Sequence, residues 1–203
     1  KFAQNKISMK IVTYTNKEGA DLGILLNDKI YSLKAIANTM NSFLQMGDTA
    51  MQKAKSVEES ILNGSSNLKG VSLTESRLLA PVPNPTSCRD AYAFRQHVAT
   101  ARRNRGVDMI PEFDQFPIFY FTNHNAILGP TDEIACMPDH MQKLDFELEA
   151  AIVIGKKGRN IKAKDADGYI AGYLIMNDMS ARALQMEEMK LNLGPAKGKD
   201  FCT

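Results

Sequence analysis

The chain has 203 residues, of which 44% are hydrophobic and 24% are charged, and its formal net charge is +2 at pH 7. This composition is typical of a globular protein with a sizeable core, and a charge so near neutral excludes nucleic acid as the main partner. The three cysteines, Cys88, Cys136 and Cys202, are odd in number and far apart. This argues against a disulfide framework or a structural zinc site and favours a reducing cytoplasm. No apolar run approaches the roughly 20 residues that cross a bilayer, so we expect no membrane partner.

The first part of the chain predicts a small N-terminal β/α domain over residues 9–70. Short segments within residues 9–34 have the composition of strands, and the Asn27-Asp28 pair between two of them is a hairpin signal. Residues 39–62 place apolar side chains at helical spacing and predict one or two helices. We expect these apolar side chains to form core rather than a ligand site.

Two stretches are candidate linkers into a second domain, which we predict over residues 76–203. Residues 63–67 are rich in Gly, Ser and Asn, and the prolines of residues 81–85 favour a stiff, extended chain. From residue 86 onward the pattern is mixed, with strands expected near 117–129, 144–155 and 169–177. The predicted fold class is therefore α+β.

A basic segment at residues 88–106 predicts a helix through much of its length and carries one histidine. Phe94, Val98 and Ala101 have the spacing of an apolar helical stripe. His97 lies beside this stripe, and histidine is the side chain best suited to proton transfer near neutral pH. The neighbouring arginines suit the carboxylates of an acidic substrate. The alternative is an exposed basic helix in which the histidine is incidental.

The clearest chemical signal is the alternation of acids with apolar residues at 144–149, followed by an apolar run to residue 154. Side chains alternate between the two faces of a strand, so Asp145, Glu147 and Glu149 point the same way. Two like charges about 5 Å apart cost roughly 3 kcal/mol at an effective dielectric near 20. A hard cation such as Mg²⁺ or Ca²⁺ would turn that cost into attraction. The alternative is a strand with one solvated acidic face.

A further acid lies at the end of another predicted strand. Residues 173–176 are apolar, and Asp178 follows them shortly before a predicted helix over residues 180–188. An acid at the end of a buried strand is held rigidly and suits a functional site. The alternative is that Asp178 or Ser180 only caps the N-terminus of the helix.

Taken together, these segments resemble the fumarylacetoacetate hydrolase family over roughly residues 80–203. The resemblance depends on the order and spacing of four motifs. They are Asp90-x-Tyr92 with Arg95-Gln96-His97, Leu144-Asp145-Phe146-Glu147-Leu148-Glu149, Asn177-Asp178-x-Ser180-Ala181-Arg182 with Gln185, and Gly194-Pro195 with Gly198-Lys199-Asp200-Phe201 and Thr203. Residues 9–70 are similar to the small N-terminal domain of family members. The resemblance implies a catalytic domain built as a mixed β-roll, usually paired in a homodimer.

By position, the resemblance also implies a divalent metal site for Mg²⁺, Ca²⁺ or Mn²⁺. The implied ligands are Asp90, Glu147, Glu149, Asp178 and Thr203. Asp90 is the fourth carboxylate in those family members that act on fumarylacetoacetate.

The same resemblance implies roles for the residues around that site. His97 would be the general base, and Lys199 and Gln185 would stabilise developing negative charge. The implied substrate contacts are Tyr92, Tyr120 and Arg95.

The implied substrate is a small 2-oxo acid or 1,3-dicarbonyl acid. The leading reaction is metal-dependent hydrolysis of a carbon–carbon bond in a fumarylacetoacetate- or acylpyruvate-like compound. Two alternatives stay open. One is decarboxylation, isomerisation or hydration of a 2-oxo diacid at the same metal site, and the other is a non-catalytic module that binds a cation or metabolite.

Three positions depart from the family pattern, which bears on the identity of the substrate. Ala183 replaces the acid that usually follows Ser-Ala-Arg, Met179 stands where Trp is common, and Thr122 stands where smaller bacterial members often have Lys. The family's catalytic domain also continues well beyond Thr203. We therefore expect these residues to be part of a longer chain, whose remainder completes the β-roll and carries a Glu that orients the histidine.

Overall fold

The computed structural model describes residues 9–17, 19–192 and 194–202. Its first part is a five-stranded antiparallel sheet in the spatial order β4-β3-β2-β1-β5. The strands are β1 (Ile11–Asn16), β2 (Gly19–Leu26), β3 (Lys29–Ser32), β4 (Val71–Ser72) and β5 (Arg77–Leu78). The strands predicted within residues 9–34 are confirmed, and the two short strands beyond residue 70 complete the sheet.

The turn between β2 and β3 forms where the sequence predicts it. Asn27 and Asp28 have positive φ angles of 47° and 61°. Two successive residues of this kind form a type I′ hairpin turn, a conformation that Asn and Asp tolerate better than most residues. The turn fixes Leu26 opposite Lys29, and this register places Leu22 in the core, with none of its surface exposed.

Two helices pack on this sheet and confirm the prediction for residues 39–62. They are α1 (Met40–Gln45) and α2 (Asp48–Leu62). Helix α1 begins at Thr39, whose side chain accepts a hydrogen bond from the backbone N–H of Ser42. The apolar side chains of this region form core, as expected, and the cluster contains Leu22, Ile24, Leu33, Ala37, Met40, Phe43, Ala50 and Ala54.

The basic segment at residues 88–106 is divided between a strand and a helix. Strand β6 (Cys88–Ala91) pairs antiparallel with β7 (Phe119–Thr122), and α3 (Arg95–Asn104) begins after residue 94. The prediction of a helix through much of this segment is confirmed for residues 95–104, whereas residues 88–91 form a strand. Backbone pairing with β7, a segment distant in sequence, outweighs the local helical pattern there.

The rest of the described chain is organised by a long two-stranded ribbon. Strand β8 (Leu144–Ile154) pairs antiparallel with β9 (Ile170–Ala181). The four-residue helix α4 (Pro138–Met141) precedes β8, and α5 (Arg182–Lys190) follows β9 directly. The fold is mixed α+β, as predicted, and no helix within the described ranges is both long and apolar enough to cross a bilayer.

The predicted side-chain cap of α5 is not found. Its N-cap position is Ala181, which makes no side-chain hydrogen bond there. Strand β9 runs through Ala181, so Asp178 and Ser180 lie inside the strand, and the Ser180 hydroxyl donates to the backbone carbonyl of Asp178 at 3.1 Å. The alternative, in which Asp178 or Ser180 only caps the helix, is therefore wrong.

The two faces of the β8–β9 ribbon differ sharply in chemistry. One face carries the acids of β8, and the other presents large exposed apolar side chains. The exposed apolar side chains are Phe146, Leu148, Ile152, Ile154, Tyr173 and Ile175. Leu148 is 71% exposed and Ile175 is 78% exposed. An apolar patch of this extent is typical of a surface that packs against further protein.

We predict that the 203-residue chain binds the dye 1-anilinonaphthalene-8-sulfonate through this face. The double variant Leu148→Glu/Ile175→Glu should lose most of the dye fluorescence, because both exposed side chains become anionic and repel the sulfonate of the dye. The melting temperature should change little, since neither side chain contributes to the core. Unchanged dye binding in the double variant would place the dye site elsewhere.

Candidate active site

The pairing of β8 with β9 gathers acidic side chains on one face of the ribbon. Glu147 lies directly opposite Asp178, and Glu149, two residues along β8, shares the same face. Residues directly opposite in an antiparallel pair have Cβ atoms about 4.5–5.5 Å apart, so like charges there repel. Asp178 is only 2% exposed, so water does little to relieve this repulsion.

The β6–β7 pair adds a fourth acid and a tyrosine to this face. Asp90 on β6 lies opposite Tyr120 on β7. The Tyr120 hydroxyl donates to Asp90 Oδ2 at 2.6 Å and to Asp178 Oδ2 at 3.3 Å. Asp90, Glu149 and Asp178 each offer one carboxylate oxygen, and these oxygens lie within 4.8 Å of one another. Three acids from distant parts of the sequence therefore form one cluster.

A buried lysine partly balances the negative charge of these acids. Lys199, in the loop after α5, places its Nζ 2.5 Å from Asp178 Oδ2 and 2.9 Å from Glu147 Oε1. It is 2% exposed, and a buried ammonium requires close anionic partners. Lys199 thus links the two carboxylates that face each other across the ribbon.

Arg182, the first residue of α5, contacts the two acids nearest the start of β8, Asp145 and Glu147. Its Nε donates to Asp145 Oδ2 at 3.0 Å, and its Nη1 donates to Glu147 Oε1 at 2.6 Å. Glu147 Oε1 therefore contacts two cations. The structure brings three of the four carboxylates proposed as metal ligands together, and it ties the fourth, Glu147, to Lys199 and Arg182.

The pKa values separate the acids into two groups. Burial raises the pKa of Glu149 to about 7, and the charges of Asp90 and Asp178 contribute to the rise. Burial also raises the pKa of Asp178 to about 6, against the opposing hydrogen bond from Lys199. Burial acts on Glu147 too, but the bonds from Lys199 and Arg182 prevail and lower its pKa. The cluster therefore carries more negative charge than its neighbours neutralise.

Tyr120 stays a hydrogen-bond donor throughout the ordinary pH range. Burial and the hydrogen bond to Asp90 raise the pKa of its phenol well above its usual value of 10.0. A protonated hydroxyl between two carboxylates orients both of them. The structure thus places Tyr120 against the carboxylates themselves, whereas the sequence analysis proposed it as a substrate contact.

These residues fit a divalent cation. Asp178 Oδ1 is buried and has no hydrogen-bond partner among the described residues, which is costly for a carboxylate oxygen. The carboxylates of Asp90, Glu149 and Asp178 together form a hard, anionic donor set, the kind that Mg²⁺, Mn²⁺ and Ca²⁺ prefer. Thr203, the remaining proposed ligand, lies outside the described residues.

The other proposed site residues are placed as follows. Gln185 lies on α5, and its Oε1 accepts from Arg182 Nη1 at 3.1 Å. His97 is exposed in the first turn of α3, and its ring centroid is 6.3 Å from that of Tyr92, which is 54% exposed. Arg95 Nε donates to both carboxylate oxygens of Asp114 at 3.1 Å.

Arg182 is a residue of this site to which the sequence analysis assigned no role. The signal was present, because Arg182 ends the motif that contains Asp178 and begins the predicted helix. What the sequence does not show is that the strand pairing brings Lys143 and Asp145 beside it. The Arg182 backbone N–H also donates to the Lys143 carbonyl at 2.9 Å.

Fold and site together define a mixed α+β protein with a carboxylate cation site on an antiparallel ribbon. A family model described as fumarylacetoacetate hydrolase, C-terminal, matches residues 86–203, which is more than half of the chain. The chain belongs to the fumarylacetoacetate hydrolase family. It is 33% identical over 190 residues to a Xenopus laevis protein named oxaloacetate tautomerase fahd2, mitochondrial, and the match covers 90% of this chain. The chain spans 55% of the length of that relative.

Solved structures share the fold. A fumarylacetoacetate hydrolase from Exiguobacterium antarcticum is 26% identical, with a TM-score of 0.62 over 96% of this chain and 63% of that one. Maleylpyruvate hydrolase from Sphingobium sp. SYK-6, solved with manganese(II) and pyruvate, is 22% identical, with a TM-score of 0.60 over 86% of this chain and 60% of that one. The predicted family and fold class are confirmed.

The raised pKa of Glu149 gives a stability prediction. A carboxyl whose folded pKa is about 7, above its ordinary 4.5, destabilises the metal-free fold at pH 8, and this cost disappears as pH falls below 4.5. Glu149→Gln should therefore raise the melting temperature in EDTA at pH 8 by about 2–4 °C, the shift that corresponds to roughly 1 kcal/mol at this size. The gain should shrink at pH 5. A gain in melting temperature that grew towards acid pH would contradict the raised pKa of Glu149.

The bridging position of Lys199 gives a second prediction. Lys199→Met should destabilise the metal-free protein by about 3–5 kcal/mol, because it leaves Asp178 and Glu147 facing each other without their shared cation. Urea denaturation measures the loss. The control is Lys197→Met in the same loop, since Lys197 is exposed. Equal stability of the two variants would exclude Lys199 as the main compensating charge.

Proposed function

We propose that this protein is a divalent-cation-dependent enzyme that interconverts the keto and enol forms of a 2-oxo diacid, with oxaloacetate as the leading substrate. The observation that supports it most is the cluster of Asp90, Glu149 and Asp178, with ligand oxygens within 4.8 Å of one another. The 33% identity to a protein named oxaloacetate tautomerase favours this reaction over the others open to the family.

A cation bound at this cluster would supply Lewis-acid polarisation of the 2-oxo group. The chain's own residues would stabilise the negative charge that develops on oxygen. Lys199 Nζ has three N–H donors, of which two meet Asp178 and Glu147. The Gln185 oxygen faces Arg182, so its NH₂ group points the other way and can donate to a substrate oxygen.

His97 is our candidate for the group that removes the proton from C3 and passes a proton to the enolate oxygen, with the two transfers reversed when the enol returns to the keto form. An imidazole titrates near neutral pH and can act as base and then as acid. His97 lies in the first turn of α3, which follows the strand that carries Asp90, and its ring centroid is 6.3 Å from that of Tyr92. Its exposed position gives bulk water access for proton exchange. Arg95 and Tyr92 would bind the carboxylates or body of the substrate.

A second candidate function is hydrolysis of a carbon–carbon bond in an acylpyruvate- or fumarylacetoacetate-like acid. The observation that favours it is Asp90, which joins the cluster and is fixed by Tyr120 at 2.6 Å. By resemblance, this fourth carboxylate belongs to members that act on fumarylacetoacetate. In this reaction His97 would remove a proton from water, which then attacks the carbonyl carbon. The carbon–carbon bond then breaks, its electron pair leaves with the enolate product, and the enolate takes up the proton on carbon.

We propose a reducing compartment and a homodimer for the protein. Cys88, Cys136 and Cys202 are all free thiols in the structure, as a reducing compartment requires. The Xenopus relative's name places that protein in mitochondria, so cytoplasm and mitochondrion are both candidate locations. The homodimer rests on the family resemblance and is tested by the mass of the protein in solution.

The decisive experiment measures Mn²⁺ binding and turnover on the same samples. Calorimetric titration gives the Mn²⁺ affinity, and the ultraviolet absorbance of enol-oxaloacetate gives the tautomerisation rate. Asp178→Asn should weaken Mn²⁺ binding and lower kcat at least about 10²-fold, because it removes a buried anionic ligand. Asp165→Asn, at an exposed position in a 3₁₀ turn, is the control and should change neither.

Other outcomes separate the candidates. Pyruvate released from an acylpyruvate, without faster oxaloacetate tautomerisation, would support the hydrolase. Mn²⁺ binding with no turnover on either substrate would support a non-catalytic module. No Mn²⁺ binding by the unsubstituted protein would overturn the metal site and both enzymatic proposals.

A further inference from the structure

The loop that carries Lys199 is hydrogen-bonded to α5 through the carboxylate of one residue, Glu188. Glu188 accepts a hydrogen bond from the backbone N–H of Ala196 at Oε2, at 2.7 Å, and one from Gly198 at Oε1, at 2.8 Å. Both oxygens of one side chain thus hold alternate amides of the loop directly before Lys199. Hydrogen bonds to an ionised carboxylate are stronger than those to a neutral acceptor.

The same loop is seated closely against the rest of the site. The Gly198 carbonyl accepts from the backbone N–H of Ala181 at 2.8 Å, at the end of β9. A Cβ atom added at Gly198 would meet the backbone nitrogen of Gln185 at 2.8 Å and its Cα at 2.9 Å. The loop therefore lies directly on α5, beside Gln185, and any displacement of it moves Lys199 away from the acids.

Glu188 lies one to two helical turns beyond Arg182 and Gln185 on α5. It makes no described contact with Asp90, Glu149 or Asp178, so it acts on the site only through the loop. Few contacts link Glu188 to the cluster. Its carboxylate binds the loop amides, the loop carries Lys199, and the Lys199 ammonium contacts Asp178. The mechanism proposed above does not use Glu188.

We propose that Glu188 is a positioning residue, which holds the 196–199 turn in the one conformation that delivers the Lys199 ammonium to Asp178 and Glu147. Its effect on catalysis rests on the proposed function, whereas its effect on Lys199 does not. A glutamine would not serve, because its NH₂ group would face one of the two loop N–H donors. An aspartate is one methylene shorter and would not span both amides.

The test compares Glu188→Gln with Glu187→Gln in the purified protein. Glu187 is the adjacent residue on the same helix, is exposed, and accepts only from Lys190, at 2.8 Å, among the described contacts. Acetic anhydride labelling with mass spectrometry reports how often the Lys199 amine leaves its buried pairing. Glu188→Gln should raise the labelling rate of Lys199 at least about tenfold, the effect expected from losing one charge-assisted hydrogen bond. Glu187→Gln should leave it unchanged.

Turnover provides the readout that a purely structural role would not move. Glu188→Gln should lower kcat, and the double variant Glu188→Gln/Lys199→Met should be no slower than Lys199→Met alone, because both act through the same ammonium. Additive losses would show that Glu188 acts independently of Lys199 and would overturn the proposal. Unchanged Lys199 labelling in a folded Glu188→Gln variant would overturn it as well.

Two further measurements keep the test decisive. If Glu188→Gln does not fold, hydrogen exchange on the unsubstituted protein decides: slow exchange of the Ala196 and Gly198 amides supports the proposal, and exchange as fast as in an open loop overturns it. If the unsubstituted protein neither binds Mn²⁺ nor turns over oxaloacetate, the proposed function fails. The labelling comparison still stands by itself in that case, because it requires neither cation nor substrate.

Discussion

The site depends on one electrostatic constraint: two carboxylates face each other across an antiparallel ribbon, and one of them is almost completely buried. Glu147 and Asp178 are register partners, and Asp178 is 2% exposed. Lys199 Nζ lies within 2.9 Å of both. Glu149 and Asp90 lie beside that pair, and neither forms an ion pair with a lysine or arginine of the described residues. The carboxylates of Asp90, Glu149 and Asp178 therefore concentrate negative charge at one position, for which a divalent cation is the natural counter-charge.

Different segments of the fold contribute the residues of this site. The β8–β9 ribbon sets the spacing of the acids, β6 and β7 contribute Asp90 and the Tyr120 hydroxyl, and the start of α5 provides Arg182. The loop after α5 supplies the lysine. Because strand register and helix position are rigid, the acids cannot move apart to relieve their repulsion. The raised pKa values of Glu149 and Asp178 follow from that rigidity as well as from burial.

Much of the fold and of the candidate site could be predicted from the sequence, and the parts that could not be predicted have physical reasons. Alternation along β8 placed Glu147 and Glu149 on one face, and the Asn27-Asp28 turn and the helices over 39–62 are local patterns. The strand at 88–91 was missed because its stability comes from β7, far along the chain. The ties of Glu147 to Lys199 and Arg182 depend on contacts between segments that no local spacing encodes. The roles proposed for His97, Tyr92 and Arg95 stay predictions.

The most direct test of this account is to locate the cation. Anomalous diffraction from crystals of the protein soaked in Mn²⁺ would show where the ion binds. The account predicts a peak at the shared position of Asp90, Glu149 and Asp178, with the Asp178 Oδ1 that lacks a partner turned towards it. A peak only at the surface, or no peak at Mn²⁺ concentrations that saturate calorimetric binding, would contradict it. The acids would then be a buried ion-pair network balanced by Lys199 and Arg182 alone.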